Sequence, residues 1–297
     1  MQIRIKTILR LLKESFQEWQ QDKVSLLAAA LAYYTVFSIT PLLVIAIAIV
    51  GAVFGEDAAQ GEIVQQINQL VGEQGAQAIE TALINADRPK LGGIASIISV
   101  VILLIGASGV FAQLQEALNT VWNIKTKPEK GIWQFIRKRL LSFGMVLAIG
   151  FLLLVSLILS AILSGISKFN LNILPGFTSL WQLVNFAISF AFITFLFALI
   201  YKYLPDVKIR WKDVGVGSII TALLFTLGKF LIGLYLGQGS LGSAYGAAGS
   251  LIVFLAWVFY SAQILLFGAE FTQVYARKYG VRIRPNRHAE YTESFTD

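Results

Sequence analysis

Six apolar runs long enough to cross a bilayer constrain this chain more than any other feature. A hydrocarbon core of about 30 Å takes about 20 predominantly apolar residues to cross as a helix. Residues 25–54, 91–112, 138–166, 181–204, 213–236 and 248–276 each meet that requirement. The composition agrees, with 56% hydrophobic and only 14% charged residues, where soluble domains carry about 25%. The expected fold class is all-α, a polytopic membrane protein with six transmembrane helices and both termini on one side.

Lys and Arg are retained in cytoplasmic loops, so their distribution orients the chain. All but four of the 24 lie in residues 1–23, in 113–137 with the adjoining helix start, in 202–212, and in 277–297. The exceptions are Arg88, Lys90 and Lys168 in the opposite loops, and Lys229 inside a span. Both termini are therefore expected in the cytoplasm. The net charge of +7 then reads as topology and as attraction to anionic headgroups, and a nucleic-acid partner loses its motivation. No cleavable leader is expected, because the first apolar run is far longer than a signal h-region.

Three regions follow: a cytoplasmic amphipathic helix over 1–24, a transmembrane domain over 25–284 and a disordered tail over 285–297. In the first, Ile5, Ile8, Leu9, Leu12 and Phe16 recur at helical spacing among Arg4, Lys6, Arg10 and Lys13. That helix either lies in the interface or packs on the protein's own loops. The first outer loop, 56–90, carries six acidic residues against Arg88 and Lys90. Its apolar spacing, interrupted by Gly72 and Gly75, predicts two short amphipathic helices capping the bundle.

No cysteine is present, and His288 is the one histidine. No nucleotide-binding loop or zinc-protease motif occurs, so neither an enzyme nor a cofactor or metal is expected. The polar residues within spans carry the functional question. Pro41 bends the first span, with Ser38 nearby to satisfy freed backbone groups. Tyr33 and Ser38 either glue helices together or line a pathway. Gln113, Glu116, Thr120 and Asn123 form a polar face at the end of the second span, either an interfacial helix or a wet vestibule. Lys229 lies nearer the outer surface, either snorkelling or facing the charge-free loop GQGSLGSAYGAAGS around Tyr245 as an anion-preferring mouth. Glu270, near the cytoplasmic boundary, is expected to meet Lys202, Arg210 or Lys212 rather than Lys229.

The segments LAYYTVFSITPLL (31–43), SGVFAQLQEALNTVW (108–122), YKYLPDVKIRWKDVGVGSIITALLF (201–225) and AYGAAGSLIVFLAWVFYSAQILLFGAEF (244–271) resemble, in order, the hallmark segments of the YihY/BrkB family of bacterial inner-membrane proteins. The resemblance implies a six-helix inner-membrane protein. Some family members are linked to serum resistance or to the lipopolysaccharide envelope, and some carried the label ribonuclease BN. Pro41, Glu116, Asn119, Tyr245 and Glu270 lie on the family-like segments. The expected function is a transporter or gated pathway for a small polar or anionic solute or a lipid headgroup. The alternative is a non-transporting envelope scaffold that binds lipid. Gly228 with Gly233, and Gly246 with Gly249 and Ser250, supply small-residue surfaces for helix packing or a homo-oligomer.

Overall fold

The computed structural model describes residues 5–84, 94–127, 177–237, 249–280, 283–286 and 288–292. In chain order the elements are α1 (Ile5–Gln21), α2 (Val24–Phe54), α3 (Glu56–Ile84), α4 (Ile94–Val121), β1 (Ile124–Thr126) and α5 (Phe177–Tyr203). They continue with β2 (Val207–Lys208), α6 (Trp211–Gly237), α7 (Gly249–Tyr279), β3 (Arg284–Pro285) and β4 (Ala289–Tyr291). Among the described residues four helical stretches are long and apolar enough to cross a membrane: Val24–Ala48, Phe186–Tyr203, Trp211–Leu231 and Leu251–Tyr279. The expected spans 25–54, 181–204, 213–236 and 248–276 fall on α2, α5, α6 and α7. The helix begun at 91–112 is α4, which runs on to Val121, and span 138–166 lies outside the described residues.

α7 is the element the others pack on, touching α1, α2, α3, α4 and α6. Small residues make the closest of these approaches. A Cβ placed on Gly217 would lie 1.8 Å from the Thr272 hydroxyl oxygen, one on Gly228 2.0 Å from that of Tyr260, and one on Gly268 1.9 Å from that of Thr221. Backbones this close bring side-chain hydroxyls across the interface: Tyr201 OH donates to the Leu265 carbonyl at 2.7 Å and meets Thr221 Oγ1 at 3.0 Å. Dispersion and these hydrogen bonds hold helices together where lipid removes the hydrophobic drive.

α2 remains one helix through Pro41. Ser38, expected to serve its own helix, reaches across instead and donates from Oγ to the Gly106 carbonyl of α4 at 2.7 Å. Gly106 also leaves room for the proline ring, since a Cβ there would sit 3.0 Å from Pro41 Cγ.

Two expectations are corrected. The outer loop forms the single 29-residue helix α3 rather than two short ones. Each internal glycine costs a helix about 1 kcal/mol relative to alanine. Burial of Ala59 and Ile63 before them, and of Ile79 and Leu83 after them, against α2 and α7 ties both halves into one apolar cluster. The segment from Pro285, expected to be disordered, folds back in its described residues: β4 pairs antiparallel with β1, and β3 with β2. Lys127 N–H donates to the His288 carbonyl, Asn286 N–H to that of Asp206 and Thr292 N–H to that of Asn123, each at 2.9 Å. Asn123, at φ 53, takes the left-handed turn that releases β1 from α4.

These packings are testable in detergent. Gly217→Ala should lower stability by about 1–3 kcal/mol through overpacking, while Gly215→Ala, which meets nothing within 4 Å, should be neutral or gain up to about 1 kcal/mol. Equal thermal midpoints for the two variants would contradict the close α6–α7 approach. Truncation before Arg284 should lower the midpoint as well, whereas removal of a disordered tail would leave it unchanged.

Candidate functional site

The α7 face turned toward α1 and α2 carries an unusual series of polar residues. Gln263 accepts from the Trp19 indole N–H at 3.1 Å and donates to Ser25 Oγ at 3.2 Å. Farther along, Arg277 pairs with Glu18 at 2.6 Å and Lys278 with Glu14 at 2.5 Å. Between them lies Glu270, which has no exposed surface. Neither of its carboxyl oxygens has a donor among the described residues, and the same holds for Asp22 Oδ2 and for Oε1 of the buried Gln273.

Local folding explains this placement. Lys23 adopts the left-handed conformation at φ 51, ψ 43, ending α1 and starting α2. The corner brings Asp22, one residue earlier, against the Glu270 carboxyl. Burial pushes the Asp22 carboxyl up to about 6; its contact with Glu270 opposes that rise and the Glu18 charge adds to it.

The expected cation partners of Glu270 are engaged elsewhere. Lys202 Nζ donates to the Ile209 carbonyl and stands 5.8 Å from the Trp211 ring centre. Arg210 holds Asp213 through two contacts at 3.0 and 3.2 Å. Lys212 is exposed. A local carbonyl satisfies Lys202, a nearby aspartate satisfies Arg210 and Lys212 stays exposed, while Glu270 meets an acid from the α1–α2 corner.

The polar face of α4 divides in two. Asn119 is buried and clamps the α5–β2 corner, donating to Asp206 Oδ2 at 3.0 Å and accepting the Asp206 backbone N–H at 2.8 Å. Glu116 is exposed, and its carbonyl accepts from Thr120 Oγ1 at 3.0 Å. On α2, Tyr33 is exposed in an aromatic group with Tyr34 and Phe37, while Ser38 and Pro41 meet α4 at Gly106. Tyr33 and Ser38 therefore occupy opposite settings. Tyr245 lies outside the described residues.

Lys229 is half-buried. At 3.6 residues per turn, Ile219, Leu223, Leu227, Phe230 and Leu231 form one exposed stripe along α6. Lys229 falls off that stripe, on the side shared by Ser218, Ala222 and Phe225. Phe225 lies one turn away, its ring meeting Phe197 of α5 at 5.7 Å and Trp257 of α7 at 6.2 Å. No acceptor among the described residues reaches the lysine Nζ.

The sequence reading missed Asp22, Asp206 and Gln273. Asp22 had a visible signal, an acid at the edge of a membrane run; Asp206 acquires meaning only through its distant partner Asn119, and Gln273 only through its burial with Oε1 lacking a donor among the described residues.

Comparison with known proteins yields relatives described as membrane proteins. A UPF0761 membrane protein of Mannheimia succiniciproducens is 28% identical over 277 residues, covering 91% of each chain. Others from Chromohalobacter salexigens and Pseudomonas aeruginosa are also 28% identical, over 269 and 256 residues. The chain covers 62% and 58% of their lengths. No solved structure matches. With its long apolar helices the chain is a multi-pass membrane protein, and, by the match of the family model described as Virulence factor BrkB to residues 15–293, it belongs to that family.

Proposed function

We propose that this protein provides a gated transport pathway for a small polar or anionic solute or a lipid headgroup, with six spans and both termini cytoplasmic. Lys229 is the observation that carries the reading. A charged lysine within a span is costly, about 2.5–3.5 kcal/mol on membrane-insertion scales at the helix centre and less toward its ends, where Lys229 lies. Its position off the exposed stripe of α6, without an acceptor among the described residues, suits a group that compensates an anion arriving from water. Phe225, one turn away, with the Phe197 and Trp257 rings packed on it, would close the inner side of such a chamber.

A second reading, a lipid-binding envelope scaffold, is favoured by α1. Leu11 packs with Phe271 and Val274 of α7, while Leu9 and Phe16 remain exposed beside exposed Arg10 and Lys13. This helix suits simultaneous docking to the bundle and contact with anionic headgroups. The two readings differ in whether solute crosses.

Flux of small anions and scrambling of labelled lipid in proteoliposomes distinguish them. Lys229→Met, which keeps the side-chain length, should insert normally and lose at least about tenfold in flux, corresponding to about 1.4 kcal/mol; Lys229→Glu should reverse any anion preference. Flux equal to the unmodified protein in both variants, or no flux in any of the three, would leave the scaffold reading standing.

A further inference from the structure

We infer that Asp22 and Glu270 form a proton-binding site in which one proton is shared between the two carboxyl groups, fastening the α1–α2 corner to α7. The geometry comes from two separate elements. Glu270 is wholly buried on α7 and neither of its oxygens has a donor among the described residues. Asp22, beside the corner at Lys23, is in side-chain contact with it, and its own Oδ2 is buried and lacks a donor among the described residues. Two ionised carboxylates facing each other would be two acceptors with nothing between them. With one proton the same contact becomes a charge-assisted hydrogen bond, among the stronger kinds.

Among the described residues no neighbouring charge removes this requirement, and Lys23, next to Asp22, is exposed. From α1, Glu18 adds a negative field, and from α7 the opposing field of Arg277 is committed to Glu18 at 2.6 Å. Lys278 is committed to Glu14. α2 contains no charged residue, and α4 contains only Glu116, which is exposed. α6 brings Asp213, held by Arg210, together with exposed Lys212 and the distant Lys229. The displacement of the Asp22 carboxyl by burial to about 6 makes Asp22 the ionised, accepting partner at pH 7, with the shared proton resting on Glu270. Its sign is consistent: the unfolded chain gives up the Asp22 proton first, so this group favours the folded corner most under acid conditions and less as pH rises toward about 6.

The ligand is a proton and the chemistry is reversible binding: an O–H bond forms on one carboxyl while the other carboxylate accepts the hydrogen bond. Losing that proton leaves two facing anions. Their repulsion would lift α1 from α7 against the Glu18–Arg277 and Glu14–Lys278 pairs and the Leu11 contact. The site stands apart from Lys229 and does not depend on solute transport.

Infrared difference spectroscopy of the purified full chain, titrated in H2O and in D2O, tests this directly. The expected result is a protonated-carboxyl C=O band that persists at pH 7, where solvent-exposed carboxyls, with values of about 4, are ionised. It should downshift in D2O, disappear in Glu270→Gln and move in frequency in Asp22→Asn. Hydrogen exchange of α1 should rise as the band titrates away, and Glu270→Gln should remove that pH dependence. Absence of the band, its survival in Glu270→Gln, or an unmoved band in Asp22→Asn would overturn the shared proton. A titration midpoint that moves with sodium at fixed ionic strength would assign the site to a metal cation instead.

Discussion

Hydrocarbon gives a polar group no partner, and this constraint governs how the helices assemble around α7. Most hydroxyls solve it locally: Thr35, Thr194, Ser218, Thr226 and Thr272 each donate to the carbonyl one turn back on their own helix. Others require a neighbour. Tyr201 reaches Leu265 of α7, and Ser38 reaches Gly106 of α4. The glycines at the helix contacts let those neighbours come near enough, so close packing and polar satisfaction have one structural cause.

Among the described residues two charged positions inside the apolar helices, Lys229 and Glu270, are left over once that accounting is done, and they lie at different depths. Gly217 meets Thr272 and Gly228 meets Tyr260, so α6 and α7 run antiparallel and Lys229 is level with Tyr260. Glu270 lies ten residues farther along α7, about 15 Å at 1.5 Å per residue. The Tyr201 and Thr221 hydroxyls occupy the interval between them. A direct ion pair is therefore excluded by helix geometry, as the span lengths had suggested, and each charge meets its own surroundings. One stands beside an aromatic cluster; the other faces Asp22 where the amphipathic helix joins the bundle.

Much of this was legible from sequence because membrane helices announce themselves by length and apolarity. α2, α5, α6 and α7 lie where the apolar runs placed them, and α1 is the helix read from the spacing of Ile5 to Phe16, though it buries Leu11 against α7 and leaves Ile8, Leu9 and Phe16 exposed. The failures share a physical origin in long-range contacts. Gly72 and Gly75 read as breaks, yet α3 is held as one helix by side chains that pack on α2 and α7. β3 and β4 are two and three residues long, too short for alternation to register, and their partners lie far earlier in the chain. The partner of Glu270 was sought among nearby cations, whereas the left-handed Lys23 delivers an acid from the opposite end of the sequence. Asn119 could be seen as polar, but its role became visible only when Asp206 appeared beside it.

The central claim is that the charge on α6 faces an aqueous interior and not lipid, and the absence of cysteine from the chain makes it directly measurable. Single-cysteine chains carrying Lys229→Cys, Leu227→Cys or Phe230→Cys can be exposed, in lipid vesicles, to a membrane-impermeant thiosulfonate that modifies only water-contacted thiols. The account predicts rapid labelling at 229 and negligible labelling at 227 and 230 on the exposed stripe. Position 229 as inert as its two neighbours would contradict it.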